Sequence, residues 1–334
     1  MTTTESAGTG QVQVQFDDNT LLPALFGHHD EHLVQIERLL DVKLRYRGNR
    51  LEILGPEASR QIADRAIGDL YRRLKQGHQL SQGEVQAAVR MAASAGDDGE
   101  RPSVRTRKRT IHPRSPAQAR YIEALDRSDL VFGLGPAGTG KTYLAVAVAV
   151  TQLLGGNVDR IILSRPAVEA GERLGYLPGD LQEKIDPYLR PLYDALYDMM
   201  PADQVANRLA NGEIEVAPLA FMRGRTLANA FIILDEAQNT SAMQMKMFLT
   251  RLGEGSRMAI TGDMSQIDLP SGQRSGLADA REILADIDGI EAIEFTAADI
   301  VRHGLVTRIV QAYDKRDARN AEKRGKRGNN TGPA

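Results

Sequence analysis

Residues 11–16 (QVQVQF) alternate polar and apolar side chains without a break, which predicts a half-buried strand. A short helix over Leu21–Phe26 follows, then a break at Gly27-His28-His29-Asp30. A second helix over His32–Leu40 puts Leu33, Ile36, Leu39 and Leu40 on one face. Val42, Leu44 and Tyr46 alternate with Lys43, Arg45 and Arg47, so the next strand has a basic outer face. Arg47-Gly48-Asn49-Arg50 is a hairpin turn, and Leu51–Leu54 is the return strand. Ala58–Leu74 sets Ile62, Ala66, Leu70 and Leu74 at four-residue steps, the mark of an amphipathic helix. Residues 1–10 read as a polar, flexible tail.

Beyond a helix at Glu84–Ala95, a GDDGE break and a basic stretch, strands and helices alternate. Apolar runs predict strands at Leu130–Leu134, Arg160–Ser164, Glu213–Ala217, Phe231–Leu234, Arg257–Thr261 and Glu291–Phe295. Helices are expected at Lys141–Leu154, Ser241–Leu252, Leu277–Ala285 and, closing the chain, Ala297–Tyr313. Such alternation predicts an α/β fold, a parallel sheet with helices on both faces. Met243 and Met247 share a helical face, which favours core packing over a ligand-facing stripe.

Composition narrows the function classes. The 334 residues suit about two domains, and 42% hydrophobic with 26% charged residues is ordinary for a globular protein. With no cysteine, disulfides, iron–sulfur clusters and thiol nucleophiles are excluded. The absence of tryptophan weakens any reading that needs a broad stacking platform. The longest apolar run, Tyr143–Val150, is too short to span a bilayer. The N-terminus lacks the basic and apolar regions of a signal peptide, so a cytoplasmic location without a membrane partner is expected.

The net charge of −2 conceals a segregation. Residues 101–114 carry six Lys/Arg and no acid, and residues 315–334 carry seven against two acids. The remainder holds 29 basic and 42 acidic residues, a net of −13. Basic segments on an acidic body point either to an anionic partner or to solvated ends.

Gly135-Pro136-Ala137-Gly138-Thr139-Gly140-Lys141-Thr142 matches G-x4-G-K-[ST] between an apolar strand and a helix start. Its backbone N–H groups would cradle phosphates, Lys141 would reach the β- and γ-phosphates, and the Thr142 hydroxyl would bind Mg²⁺. Asp235 emerges from the apolar run Phe231–Leu234 as the second Mg²⁺ residue, and Glu236 beside it suits a base that polarises water. Gln266, in Gly262-Asp263-Met264-Ser265-Gln266, reads as a γ-phosphate sensor. Gln118, 23 residues before Lys141, is a candidate for the adenine edge. These residues imply ATP and Mg²⁺, and Glu236 favours hydrolysis over transfer to a small acceptor.

The motifs resemble those of the PhoH-like ATPase family. The resemblance rests on Ser164–Asp180 (SRPAVEAGERLGYLPGD), Asp235–Asn239, Thr261–Leu269 and Asp299–His303, and spans roughly residues 105–314. It implies a RecA-like P-loop NTPase sheet, similar to one motor domain of superfamily 1 helicases, with ATP hydrolysis and RNA-related work. It also implies a ring-like homo-oligomer, a hexamer by analogy, and a link to an rRNA-maturation endoribonuclease. The first part resembles a small α+β KH-like RNA-binding domain, although Asp30 stands where the G-x-x-G loop has glycine. The expected domains are a tail at 1–10, a KH-like domain at 11–77, a connecting segment at 78–114, the ATPase at 115–314 and a basic tail at 315–334.

Phosphoryl transfer calls for a cation at the transition state, and no second motor domain follows in the chain. Arg302 is the candidate at the nucleotide, with Arg223 and Arg225 acting at RNA or at a neighbouring copy. His28, His29, Asp30 and His32 crowd one loop without the helical spacing of a metal site. Three function classes stay open: an ATPase acting on single-stranded RNA, a nucleotide-switched RNA-binding or scaffold protein with slow turnover and a protein partner, and a P-loop kinase, against which Glu236 and Gln266 argue.

Overall fold

The structure, a computed structural model, describes residues 1–6, 11–94, 102–166, 181–270 and 272–301, with Ile309 and Arg316. The chain divides into a compact unit Met1–Ile300 and a second unit from Val301 onward. Among the described residues, no helix is long and apolar enough to cross a membrane.

The N-terminal part runs β1 (Thr2–Ser6), β2 (Gln11–Gln15), α1 (Leu22–Phe26), α2 (Glu31–Leu40), β3 (Lys43–Arg47), β4 (Arg50–Leu54), α3 (Glu57–Lys75) and α4 (Gln82–Ser94). Its four strands form an antiparallel sheet in the order β1-β2-β4-β3. One face of that sheet, with Val12, Val14, Leu51 and Ile53, is buried against Ile36, Ala66, Ile67 and Leu70 of the helices. The expected tail is corrected here: Thr2–Ser6 pairs residue by residue with Gln11–Gln15. Its polar side chains give no period, but the backbone completes the edge that β2 leaves open. The helix expected at Glu84–Ala95 in the connecting segment forms as α4, but it packs into the first core. Val85, Ala88, Val89 and Ala92 of α4 join the first core, which moves that boundary past residue 77.

The larger part begins with a hairpin, β5 (Val104–Arg105) and β6 (Thr110–Ile111), followed by α5 (Pro116–Arg127), β7 (Leu130–Leu134), α6 (Lys141–Leu154) and β8 (Arg160–Arg165). Then come α7 (Leu181–Met199), α8 (Ala202–Ala210), β9 (Ile214–Pro218), β10 (Ala230–Leu234), α9 (Ala242–Leu249), β11 (Arg257–Gly262), α10 (Gly276–Ile283) and β12 (Ile290–Glu294). Six strands pair in parallel in the order β12-β7-β11-β10-β8-β9. Residues of α5, α6 and α7 form the core on one face, and residues of α9 and α10 form it on the other. This is the expected α/β RecA-like architecture, and it brings the C-terminal ends of β7, β11, β10 and β8 to one edge. In open sheets of this kind, ligands bind at that edge.

Two smaller expectations change. Met245 is the buried methionine of α9, whereas Met243 is 82% exposed and does not pack in the core. Ala297–Asp299 forms a single 3-10 turn, closed by a capping box between Thr296 and Asp299, and Ile300 is extended. Of the rest of the expected closing helix, Val301 and Ile309 alone are described.

Candidate functional site

The site begins where β7 ends. Leu130–Leu134 is buried throughout, so the strand is fixed on both faces and the Gly135–Thr142 loop is held at its tip. Gly135 takes φ +143°, and a Cβ there would lie 2.3 Å from the Phe295 carbonyl oxygen. Only glycine lets the loop pass this close to the chain leaving β12.

Lys141 is 8% exposed, and its Nζ donates to the carbonyls of Gly135 (2.6 Å) and Pro136 (2.9 Å). Burial pulls its ammonium below the ordinary lysine range, against the attraction of Asp263, Asp235 and Glu236. The neighbouring Ala137 N–H donates to Asp263 Oδ2 at 3.1 Å. A carboxylate oxygen thus stands against a P-loop N–H, and the cradle already accommodates an anion. Burial raises the Asp263 pKa. Hydrogen bonds from Ser265 and Ala137 and the charge of Lys141 outweigh it, leaving the carboxyl below its usual range.

The acidic arm comes from β10. Thr142 Oγ1 donates to Asp235 Oδ1 at 2.6 Å, and Thr261 Oγ1 donates to the same oxygen at 2.8 Å. A hydroxyl and a carboxylate in contact, both hard oxygen donors, are the donor set Mg²⁺ takes alongside phosphate oxygens and water. The residues therefore fit the metal, which Thr142 and Asp235 could hold. Glu236 follows with φ +51°, a left-handed conformation that side chains rarely adopt. Such strain concentrates at functional sites.

Two residues without a role in the sequence reading fasten Glu236. Gln238, 1% exposed, donates from Nε2 to Glu236 Oε2 (2.6 Å) and to the Gln266 carbonyl (3.1 Å). Its Oε1 accepts from the Asp263 N–H at 3.0 Å. Arg165, the last residue of β8, places Nη2 3.3 Å from Glu236 Oε1 and Nη1 4.0 Å from Asp235 Oδ2. In the sequence Arg165 lies just past the predicted strand Arg160–Ser164, inside the Ser164–Asp180 motif, with no role of its own. Its neighbours depend on β8 lying beside β10, where Ser164 pairs with Leu234.

Gln266 reaches the same network, its Nε2 donating to Asp263 Oδ2 at 2.9 Å. A cavity of about 260 Å³ brings together Lys141, Thr142, Asp235, Glu236, Asp263 and Gln266. An adjoining groove of about 640 Å³ runs from Asp235 and Glu236 past Arg165 to Asp194 and Asp198. Gln118 is 4% exposed and spends both ends of its amide on backbone. Nε2 donates to the Thr139 carbonyl (2.9 Å), and Oε1 accepts from the Arg114 N–H (2.7 Å). It therefore braces the P-loop from behind.

Several charged residues find protein partners. Arg225 forms a two-pronged pair with Glu215, at 2.6 and 2.7 Å, while Arg223 is exposed. In the basic segment, Lys108 Nζ donates to the Tyr197 carbonyl (2.8 Å). Arg109 pairs with Asp198 (2.8 Å), which also accepts from the Tyr143 hydroxyl (2.9 Å). Part of that basic run is thus spent on tying the β5–β6 hairpin to α7. In the Gly27–His32 stretch, the rings of His28 and His29 pack together, and His32 Nδ1 lies 3.1 Å from the Leu25 carbonyl. Arg302, residues 167–180 of the Ser164–Asp180 motif and most of the basic tail lie outside the described residues.

A family model described as PhoH-like protein matches residues 110–314. A PhoH-like protein of Bacillus subtilis (strain 168) is 52% identical over 300 residues, covering 88% of this chain and 94% of that one. One from Mycobacterium tuberculosis (strain ATCC 25618 / H37Rv) is 51% identical over 319 residues, covering 92% and 91%. Protein PhoH of Escherichia coli (strain K12) is 47% identical over 205 residues, covering 61% of this chain and 58% of its own.

Proposed function

The chain belongs to the PhoH-like family, and we propose that it is a Mg²⁺-dependent ATPase that couples hydrolysis to binding and remodelling single-stranded RNA. The observation that carries the hydrolytic part is the placement of Glu236. It sits one residue beyond the Mg²⁺ aspartate, in a strained conformation, with Oε2 fixed by Gln238. A carboxylate so oriented can align a water for in-line attack and take its proton. Lys141 and the P-loop N–H groups bind the triphosphate from one side. Mg²⁺ at Thr142 and Asp235 would neutralise charge on the β- and γ-phosphates. Gln266, bonded to the same Asp263 that occupies the Ala137 N–H, would report whether a phosphate has taken that place.

RNA as the coupled partner is supported by the resemblance to helicase motors and by the cationic surface described below. A ring-like homo-oligomer, with a hexamer as the expected size, and an rRNA-maturation endoribonuclease as partner rest on the family resemblance. Arg302 acting at the nucleotide belongs to that same reading. A second reading, a nucleotide-switched RNA-binding or scaffold protein with slow turnover and a protein partner, is favoured by Arg165, which holds Glu236 in an ion pair.

Steady-state ATP hydrolysis with and without single-stranded RNA tests both, with Glu236→Gln as the inactive control. A several-fold rise with RNA, absent in the variant, supports the coupled ATPase. Tight ATP binding with negligible turnover under both conditions supports the switch.

A further inference from the structure

Among the described residues, the N-terminal sheet is covered on one side only. Because side chains alternate along a strand, the residues between the buried Val12, Val14, Leu51 and Ile53 point to the opposite face. The pairing Lys43↔Leu54, Arg45↔Glu52 and Arg47↔Arg50 puts four cations on that face, extended by Gln13 opposite Glu52 and Gln15 opposite Arg50. Lys43, Arg45, Arg47 and Arg50 are all exposed, and none forms an ion pair or side-chain hydrogen bond with a described residue. Glu52 is the one acid that β2, β3 and β4 place there. A net positive face on a chain of net charge −2, left unpaired by the acids among the described residues, is complementary to an external polyanion.

We propose that this open sheet face binds the sugar–phosphate backbone of single-stranded RNA, with Lys43, Arg45 and Arg47 on successive phosphates and Arg50 beside them. The proposal rests on the RNA-coupled reading and gives it a surface. Every second residue of a strand advances about 6.8 Å. The three cations of β3 therefore form a straight row whose step is comparable to the phosphate separation in an extended strand. The strands place no aromatic side chain on this face, so it contacts backbone and not bases, and binding is indifferent to sequence. The Gly27–Asp30 loop is the competing surface in the same domain. It presents the Asp30 carboxylate, 3.3 Å from the Tyr46 hydroxyl, and an acid there repels phosphate. Leu54 is the one large apolar side chain that β2, β3 and β4 place among the cations, too little to enter a bilayer, which favours RNA over an anionic membrane.

The test uses the full chain and fluorescein-labelled U20, with binding followed by anisotropy from low to moderate salt. The neutral variant Lys43→Gln/Arg45→Gln/Arg47→Gln/Arg50→Gln should flatten the slope of log K against log salt by about 3, since each single-strand phosphate contact contributes about 0.7. The charge-preserving variant Lys43→Arg/Arg45→Lys/Arg47→Lys/Arg50→Lys should keep the wild-type slope. Far-UV circular dichroism checks folding. If the fourfold variant is misfolded, Lys43→Gln and Arg47→Gln singly carry the test, each lowering the slope by about 0.7. A wild-type slope in the neutral variants would overturn the proposal while leaving RNA coupling intact through another surface. No binding of U20 by the wild type would overturn both. Unchanged RNA binding with lost binding to phosphatidylserine vesicles would assign the face to a membrane and overturn it as well.

Discussion

The guanidinium of Arg165 lies 3.3 Å from the carboxylate of Glu236, and its Nη1 donates to the Tyr188 carbonyl at 3.0 Å. The arginine is thus anchored to α7 while it neutralises the residue assigned to water activation. It is also a cation supplied in cis at the edge where the γ-phosphate must lie, the requirement for which Arg302 was the sequence candidate. Arg165→Ala is expected to lower kcat for ATP about 10²-fold while KM changes no more than a few-fold, the pattern of a charge felt mainly in the transition state. Arg165→Lys should recover little, because a point charge cannot span both carboxylates. A rise in kcat with Arg165→Ala would instead make the residue a brake on Glu236.

Gln118 separates two roles that one experiment can distinguish. Its amide bonds the Thr139 carbonyl and the Arg114 N–H, both at the back of the P-loop. Gln118→Leu strands both groups, at a cost of about 1–3 kcal/mol for each one left buried and unpaired. The expected result is a lower urea midpoint and a higher KM for ATP, with the preference for ATP over GTP unchanged. A lost preference at unchanged stability would assign Gln118 to the adenine edge.

Which features were readable depended on how local they are. The β7–loop–α6 unit is written in consecutive residues, since a fully buried strand, three spaced glycines and a Lys-Thr pair need no distant partner. Helix α7 escaped because Pro187 and Pro191 interrupt the run that a helix reading looks for. Strand β1 is polar throughout, and only its pairing with β2 makes it a strand. Arg165, Gln238 and the engagement of Arg109 with Asp198 depend on strand order and helix placement, which residue patterning does not carry.

His112 provides a pH dependence. Burial, reinforced by Arg73 and His78 and opposed by Asp69 and Glu84, lowers its pKa from 6.5 to about 4. The folded chain therefore keeps the ring neutral where the unfolded chain binds a proton. Stability from this site is complete above pH 6.5 and is lost as pH falls towards 4. The ring also meets His78 edge-on at 5.1 Å, a contact that an aromatic replacement keeps. The fall in Tm between pH 7.5 and pH 5 should be smaller in His112→Phe than in the wild type. Equal falls would show that the imidazole is not held neutral.

Gly135 tests how tightly the P-loop is gripped. Its N–H donates to the Gly262 carbonyl at 3.1 Å, and the Phe295 N–H donates to the Leu134 carbonyl at 2.7 Å, so β7, β11 and the end of β12 converge on this residue. A methyl group would meet the Phe295 carbonyl oxygen at 2.3 Å and its Cβ at 2.8 Å. The first of these is backbone and cannot rotate away. Gly156 is the control, with φ +72° and no described atom within 4 Å of where a Cβ would lie, so Gly156→Ala meets conformational strain alone, about 1–2 kcal/mol. Gly135→Ala should cost more than about 4 kcal/mol in urea unfolding, because strain and a backbone clash combine. If the two variants lose the same amount, β12 yields to the methyl, and the loop is held by its hydrogen bonds and not by the close approach of Phe295.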